Sequence, residues 1–190
     1  MKKLTAISVM TLALTTCSLS ATAETTVSGI TNKESQISFI DFLIERDIEM
    51  TLLQEQVKAA QDAQVKELAT LLAVQDLETH AGKTWYVFSG STPQGWDCSG
   101  LVLWFYKHFD VELEHSATKQ KFAGEFTDSP ELGDIVAFSH KGYDTAYHNG
   151  IYVGEGMFIH APKVGALTKI SSIADYAGEH STISYTRINY

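Results

Sequence analysis

The sequence predicts an α+β protein: a long helical segment, then a domain in which one short helix precedes a set of antiparallel strands. Three observations predict it. No Gly or Pro occurs from Ser35 to Glu78, a stretch rich in Ala, Leu, Gln, Glu and Lys, which are strong helix formers. Beyond Gly82 the texture changes to frequent aromatics, glycines and short β-type runs. The one clear helical pattern left there, Asp97 to Phe109, precedes most of those runs, and helix followed by strands is the α+β order. With 190 residues and 44% hydrophobic content, the chain has room for one packed domain plus an accessory segment.

The elements follow in order. Lys2 and Lys3 precede an apolar, uncharged run from Leu4 to Leu14, and Ala21-Thr22-Ala23 puts small residues where a signal peptidase reads. Residues 1–23 therefore read as a Sec signal peptide, which places the mature chain in the periplasm or outside the cell. The run is too short for a stable membrane span. Leu14-Thr15-Thr16-Cys17 is a poor lipidation site, because Thr16 is bulkier than the residue expected before a modified Cys. Loss of Lys2 and Lys3 takes the formal net charge from −9 to −11. An acidic surface of that size disfavours nucleic acid and anionic membrane as partners.

Residues 24–34 are polar and read as a flexible lead. Within 35–78, apolar residues recur at helical spacing: Ile37, Ile40, Ile44 and Ile48, then Leu53, Val57 and Ala60, then Val65, Leu68 and Leu72. A single helix here would reach on the order of 60 Å, and a break would give a hairpin. Its apolar stripe predicts cover by a protein partner, a second copy or the following domain, residues 79–190. In that domain Asp97 is a good N-cap, and Leu101, Val102, Phe105 and Phe109 share a helix face. Strands are predicted at Ile135–Ser139, Asn149–Val153, Met157–His160 and Thr182–Ile188.

Signal removal leaves Cys98 as the single cysteine of an exported chain, unable to form an internal disulfide. It sits just after the predicted cap, where unpaired N–H groups and the helix dipole favour a thiolate. A nucleophilic thiol needs a base and a group to orient that base. His148 precedes one predicted strand and His160 ends the next. The turn Gly154-Glu155-Gly156 would make those strands antiparallel neighbours and bring the two histidines to one end. His80, His108, His115, His140 and His180 read as loop or surface. Cys98, His148 and His160 lack the short paired spacings of a zinc site, and no cofactor is called for.

From about Gly82 to Tyr190 the chain resembles the NlpC/P60 family of papain-like wall peptidases. The resemblance lies in four ordered blocks. They are Trp85–Gly90 with Gly95-Trp96-Asp97-Cys98-Ser99-Gly100-Leu101-Val102, Leu132-Gly133-Asp134-Ile135-Val136-Ala137-Phe138, His148-Asn149-Gly150-Ile151-Tyr152-Val153-Gly154, and Ile159-His160-Ala161-Pro162. It departs mildly at Leu132, where Pro is usual, and Trp96, where Phe is common. The resemblance implies a nucleophile helix packed on an antiparallel sheet, with Cys98 as nucleophile, His148 as base and His160 as its orienting group. It further implies Tyr86 near the oxyanion, and Asp97 and Ser99 as binders of a substrate amine. The substrate it implies is the peptide stem of peptidoglycan, cut between γ-linked D-Glu and the diamino acid. Two rival readings share these residues: a papain-like amidase or acyl transferase, and a non-catalytic scaffold working through the long helix.

Overall fold

The computed structural model describes residues 33–190, with side-chain surroundings from Ile37 onward. The expected signal peptide, the Cys17 site and most of the lead lie outside the described residues. The chain divides into two compact units, the boundary falling between Gln56 and Val57.

Helix α1 (Lys33–Glu78) is unbroken, two residues longer than expected at its start. From Ile37 to Gln56 its side chains are exposed. Ile37, Ile44 and Ile48 fall on one side at 3.6 residues per turn, while Phe39, Leu43 and Met50 fall on the other. The expected single stripe is therefore replaced by apolar groups all round the helix.

In the second unit the buried residues of α1 are Thr70, Ala73, Val74 and Leu77, at the i, i+3, i+4, i+7 spacing of one face. The stripe expected at Val65, Leu68 and Leu72 points away from the domain and is exposed. The last two turns of α1 thus share one core with residues beyond the expected division at 78/79.

The remaining elements are a small ribbon of β1 (Ser91–Thr92) and β2 (Gly95–Trp96), and α2 (Cys98–Tyr106) with a 3-10 turn at Lys107–Phe109. Then come α3 (Ala117–Lys121), β3 (Glu125–Thr127), β4 (Ile135–His140), β5 (Ala146–Gly154), β6 (Met157–His160), β7 (Lys169–Ser172), α4 (Ile173–Tyr176) and β8 (Ser181–Arg187). Six strands form an antiparallel sheet in the order β3-β8-β4-β5-β6-β7.

Side chains alternate between the sheet's faces, and both faces are covered. Ile135, Ile151 and Ile159 pack with Leu101, Val102 and Phe105 of α2 and with Leu77. Val136, Phe138 and Phe158 pack with Ile173 and Tyr176 on the other side. This seats α2, whose first residue is Cys98, directly on β5, which carries His148.

Candidate active site

The cap of α2 forms as the sequence predicts, and its polar network reaches further. Asp97 Oδ1 accepts from Gly100 N at 2.8 Å and Ser99 Oγ at 3.1 Å, and Oδ2 accepts from Ser89 N at 2.9 Å. His115 Nε2 lies 2.8 Å from Oδ1. Burial pushes the Asp97 carboxyl up, but His115 and the N–H groups of Gly100 and Ser89 outweigh it and hold the group below its ordinary value. Asp97 and Ser99 are both buried and are spent on this cap.

Cys98 is partly exposed at the first turn. Burial and then the Asp97 carboxylate push its thiol up, and the N–H groups of Asn149, Ser99 and Cys98 itself pull the other way without cancelling the rise. The net direction is upward, opposite to the lowering expected at a helix start, with burial the larger cause and the Asp97 carboxylate the next. Tyr86 is half-buried close by. Its phenol is held up by burial, then by the neighbouring Cys98 and the Asp97 carboxylate.

The two histidines meet. His148 Nε2 lies 2.7 Å from His160 Nδ1, and both rings are buried. Phe158 stacks on His160 at 4.2 Å between centroids, and Tyr176 stands edge-on to it at 4.8 Å. Burial alone pushes His148 down to about 4. It pushes His160 lower still, with help from the neighbouring His148 and Lys169. The pair is therefore neutral at pH 7, and His148 Nδ1 is the nitrogen left to accept a proton. No hydrogen bond yet joins His148 to Cys98, as is common in ligand-free thiol–imidazole sites. Gly150 allows this closeness, since a Cβ there would stand 2.4 Å from Ile159 O and 3.0 Å from His160 Cβ.

Sequence reasoning missed three contributors. His115, expected in a loop or on the surface, lies in a loop and joins the Asp97 cap. Gln120 of α3 is fully buried, and its amide donates to Ser99 O at 3.0 Å and Glu114 O at 2.8 Å while accepting from Asn149 Nδ2 at 2.6 Å. It ties the residue after Cys98 to the residue after His148. Tyr176 walls both imidazoles, and its phenol is pushed up to about 12 by burial, then by Tyr147 and Cys98. A glutamine or tyrosine in a polar stretch carries no local signal of such a role; only the packing of α3 and α4 creates it.

The NlpC/P60 family model matches residues 82–187, more than half of the chain. The chain belongs to the NlpC/P60 family. Among relatives of this NlpC/P60 protein, murein DD-endopeptidase MepH of Escherichia coli K12 is 37% identical over 119 residues, covering 59% of this chain and 44% of that protein. Gamma-DL-glutamyl hydrolase of Bacillus subtilis 168 is 38% identical over 112 residues, covering 57% of this chain and 27% of that protein. The chain thus matches less than half the length of these relatives. The NlpC/p60 domain of the peptidoglycan hydrolase SagA superposes with a TM-score of 0.54 at 26% identity, covering 62% of this chain and 98% of that one.

Proposed function

We propose that this protein is a cysteine endopeptidase that hydrolyses peptide stems of bacterial peptidoglycan. The observation that carries the reading is the placement of Cys98 at the start of α2, which packs on β5, whose buried His148 meets the buried His160 of β6. His148 Nδ1 takes the thiol proton as Sγ attacks the scissile carbonyl, giving a tetrahedral oxyanion. The phenol of Tyr86 and the N–H of Cys98 stabilise that oxyanion. His148 then hands the proton to the leaving amine. Water, deprotonated by the same imidazole, frees the acyl group and restores the thiol. His160 holds the His148 ring in place.

The bond we assign is the γ-D-glutamyl–diamino acid bond, in line with the resemblance and with the γ-glutamyl hydrolase relative. The DD-endopeptidase relative favours a second bond, the cross-link between stems. Occupation of both Asp97 oxygens by donors of this chain bears on the choice, since it leaves that carboxylate little capacity for a substrate amine. Export by the Sec route rests on residues 1–23. The exposed apolar groups of 37–56 support association with a protein partner or a second copy.

Digestion of purified peptidoglycan by the full mature chain, with mass spectrometry of the products, tests all of this. New stem fragments from the wild type, absent with Cys98→Ala, are the expected result. Fragment masses separate a cut after D-Glu from a cut cross-link. Intact stems after prolonged digestion would refute the enzymatic reading in favour of a scaffold.

A further inference from the structure

The hydrogen-bonded chain that starts at His148 does not end at His160. His160 Nε2 lies 3.0 Å from Oγ of Ser171 in β7. Ser171 is partly open, whereas the rest of the His160 ring is enclosed by Phe158 and Tyr176.

Two proton arrangements satisfy these distances. In the first, both imidazoles carry their proton on Nε2. His148 Nε2–H donates to His160 Nδ1, His160 Nε2–H donates to Ser171 Oγ, and His148 Nδ1 keeps a bare lone pair. In the second, every bond is reversed. Ser171 O–H donates to His160 Nε2, His160 Nδ1–H donates to His148 Nε2, and His148 Nδ1 already holds a proton. Only the first leaves His148 able to take the proton of Cys98. A hydroxyl can play either part, so the choice falls to where the serine's own hydrogen goes. Being partly exposed, Ser171 can donate that hydrogen to solvent and present its oxygen to the ring. The buried His160 ring has no comparable alternative for an Nε2 proton.

We propose that Ser171 is a positioning residue that fixes the proton register of the His148–His160 pair by accepting the His160 Nε2–H. The proposal rests on the reading of His148 as the base. Without the hydroxyl, an Nε2 proton on His160 loses its acceptor in this chain, and the reversed register gains population. The chemical step slows, while stem binding, made elsewhere, does not change.

Imidazole ¹⁵N spectra of the full mature chain, taken at pH 7 beside kinetics on a stem peptide, provide the test. In the wild type, His160 should show a protonated Nε2 and a bare Nδ1. Ser171→Ala should move that population toward Nδ1–H and lower kcat about tenfold or more, with KM within about twofold. Ser171→Thr, which retains the hydroxyl, should recover both. In a His160→Ala background, Ser171→Ala should cost nothing further. A proton on His160 Nδ1 in the wild type, or a Ser171→Ala protein with wild-type spectrum and kcat, would overturn the proposal. Equal losses in the Ala and Thr variants would do the same, pointing to strand packing instead. A wild type that cleaves no stem yet shows the Nε2 register would sink the enzymatic reading and leave the register assignment standing.

Discussion

His148 Nε2 stands 2.7 Å from His160 Nδ1, and each ring is closed off from solvent by Phe158 and Tyr176. Two imidazoles this close cannot both be protonated without strong repulsion, and burial disfavours charging either one. Burial therefore favours the uncharged form of both rings.

Removing Cys98 by substitution with Ala should abolish turnover while leaving the melting temperature near that of the wild type. His148→Ala should lower kcat/KM by about 10²–10⁴-fold, the usual contribution of a general acid–base. His160→Ala should cost less, roughly 10²-fold, because it displaces the base without deleting it. Steady-state kinetics on a stem peptide check the order. If His160→Ala were harmless while His148→Ala was dead, the orienting role would pass to another residue.

Acid should affect rate and stability in separate ranges. With His148 pushed down to about 4, the acidic limb of the kcat/KM profile should lie near that value and not near 6.5. A limb at 6 to 7 would mean that burial does not lower the affinity of the ring for its proton in the working enzyme. For stability, the folded imidazole binds its proton less tightly than the unfolded one. Between about pH 6.5 and 4 the unfolded chain therefore holds more protons, and stability falls as pH falls. The loss is on the order of 3 kcal/mol for His148. Chemical denaturation at pH 7 and pH 4.5 measures it, and His148→Gln should flatten the dependence.

Substrate choice should follow from the crowded carboxylate of Asp97. With both oxygens accepting from Gly100, Ser99, Ser89 and His115, a free amine on the substrate should contribute little. N-acetylated and free stem peptides should be turned over within about threefold of each other, less than the gain from a charge-assisted pair. A strong preference for the free amine would show that Asp97 leaves His115 when substrate binds. His115→Ala should then sharpen that preference.

Truncation should separate the two parts of α1. A chain starting at Val57 should melt cooperatively and label at Cys98 at the full-length rate. A chain starting at Thr79 should not fold, since it lacks Leu77, Val74 and Ala73 from the core. Leu77→Ala should cost about 2–5 kcal/mol, whereas Leu68→Ala on the exposed side should stay within about 0.5 kcal/mol. Analytical ultracentrifugation of both lengths then tests association through 33–56. Faster labelling of the Val57 chain would instead indicate that the removed residues shield the thiol.

Severing the amide link at Gln120 should loosen the seat of α2 on β5. Gln120→Met leaves Ser99 O, Glu114 O and Asn149 Nδ2 without their buried partner, at roughly 1–3 kcal/mol for each such group. Denaturant melts should show the loss, and kcat should fall with it. Unchanged stability would mean that water replaces the amide at no cost.

Local chemistry in the sequence determined a good deal. A Gly- and Pro-free stretch of strong helix formers specifies α1. Asp97 specifies where α2 begins, because a capping side chain acts within three residues. The strand cores at Met157–His160 and Ile135–Ser139 follow from short β-type apolar runs. The tight turn between β5 and β6 brings two histidines twelve residues apart to one end, so the meeting of His148 and His160 was legible from spacing, while Cys98 as their nucleophile rests on the resemblance. Tertiary structure alone decided the rest. Which face of α1 is buried depends on how the domain packs, and Thr70, Ala73, Val74 and Leu77 win over the more apolar Val65, Leu68 and Leu72. The protonation of Cys98 depends on burial and on a carboxylate whose charge is shared with His115, a residue seventeen positions away. Gln120, Tyr176 and Ser171 gain their roles only when α3, α4 and β7 close around the site. Hydrogen bonds and desolvation act across space, and a sequence records separation along the chain.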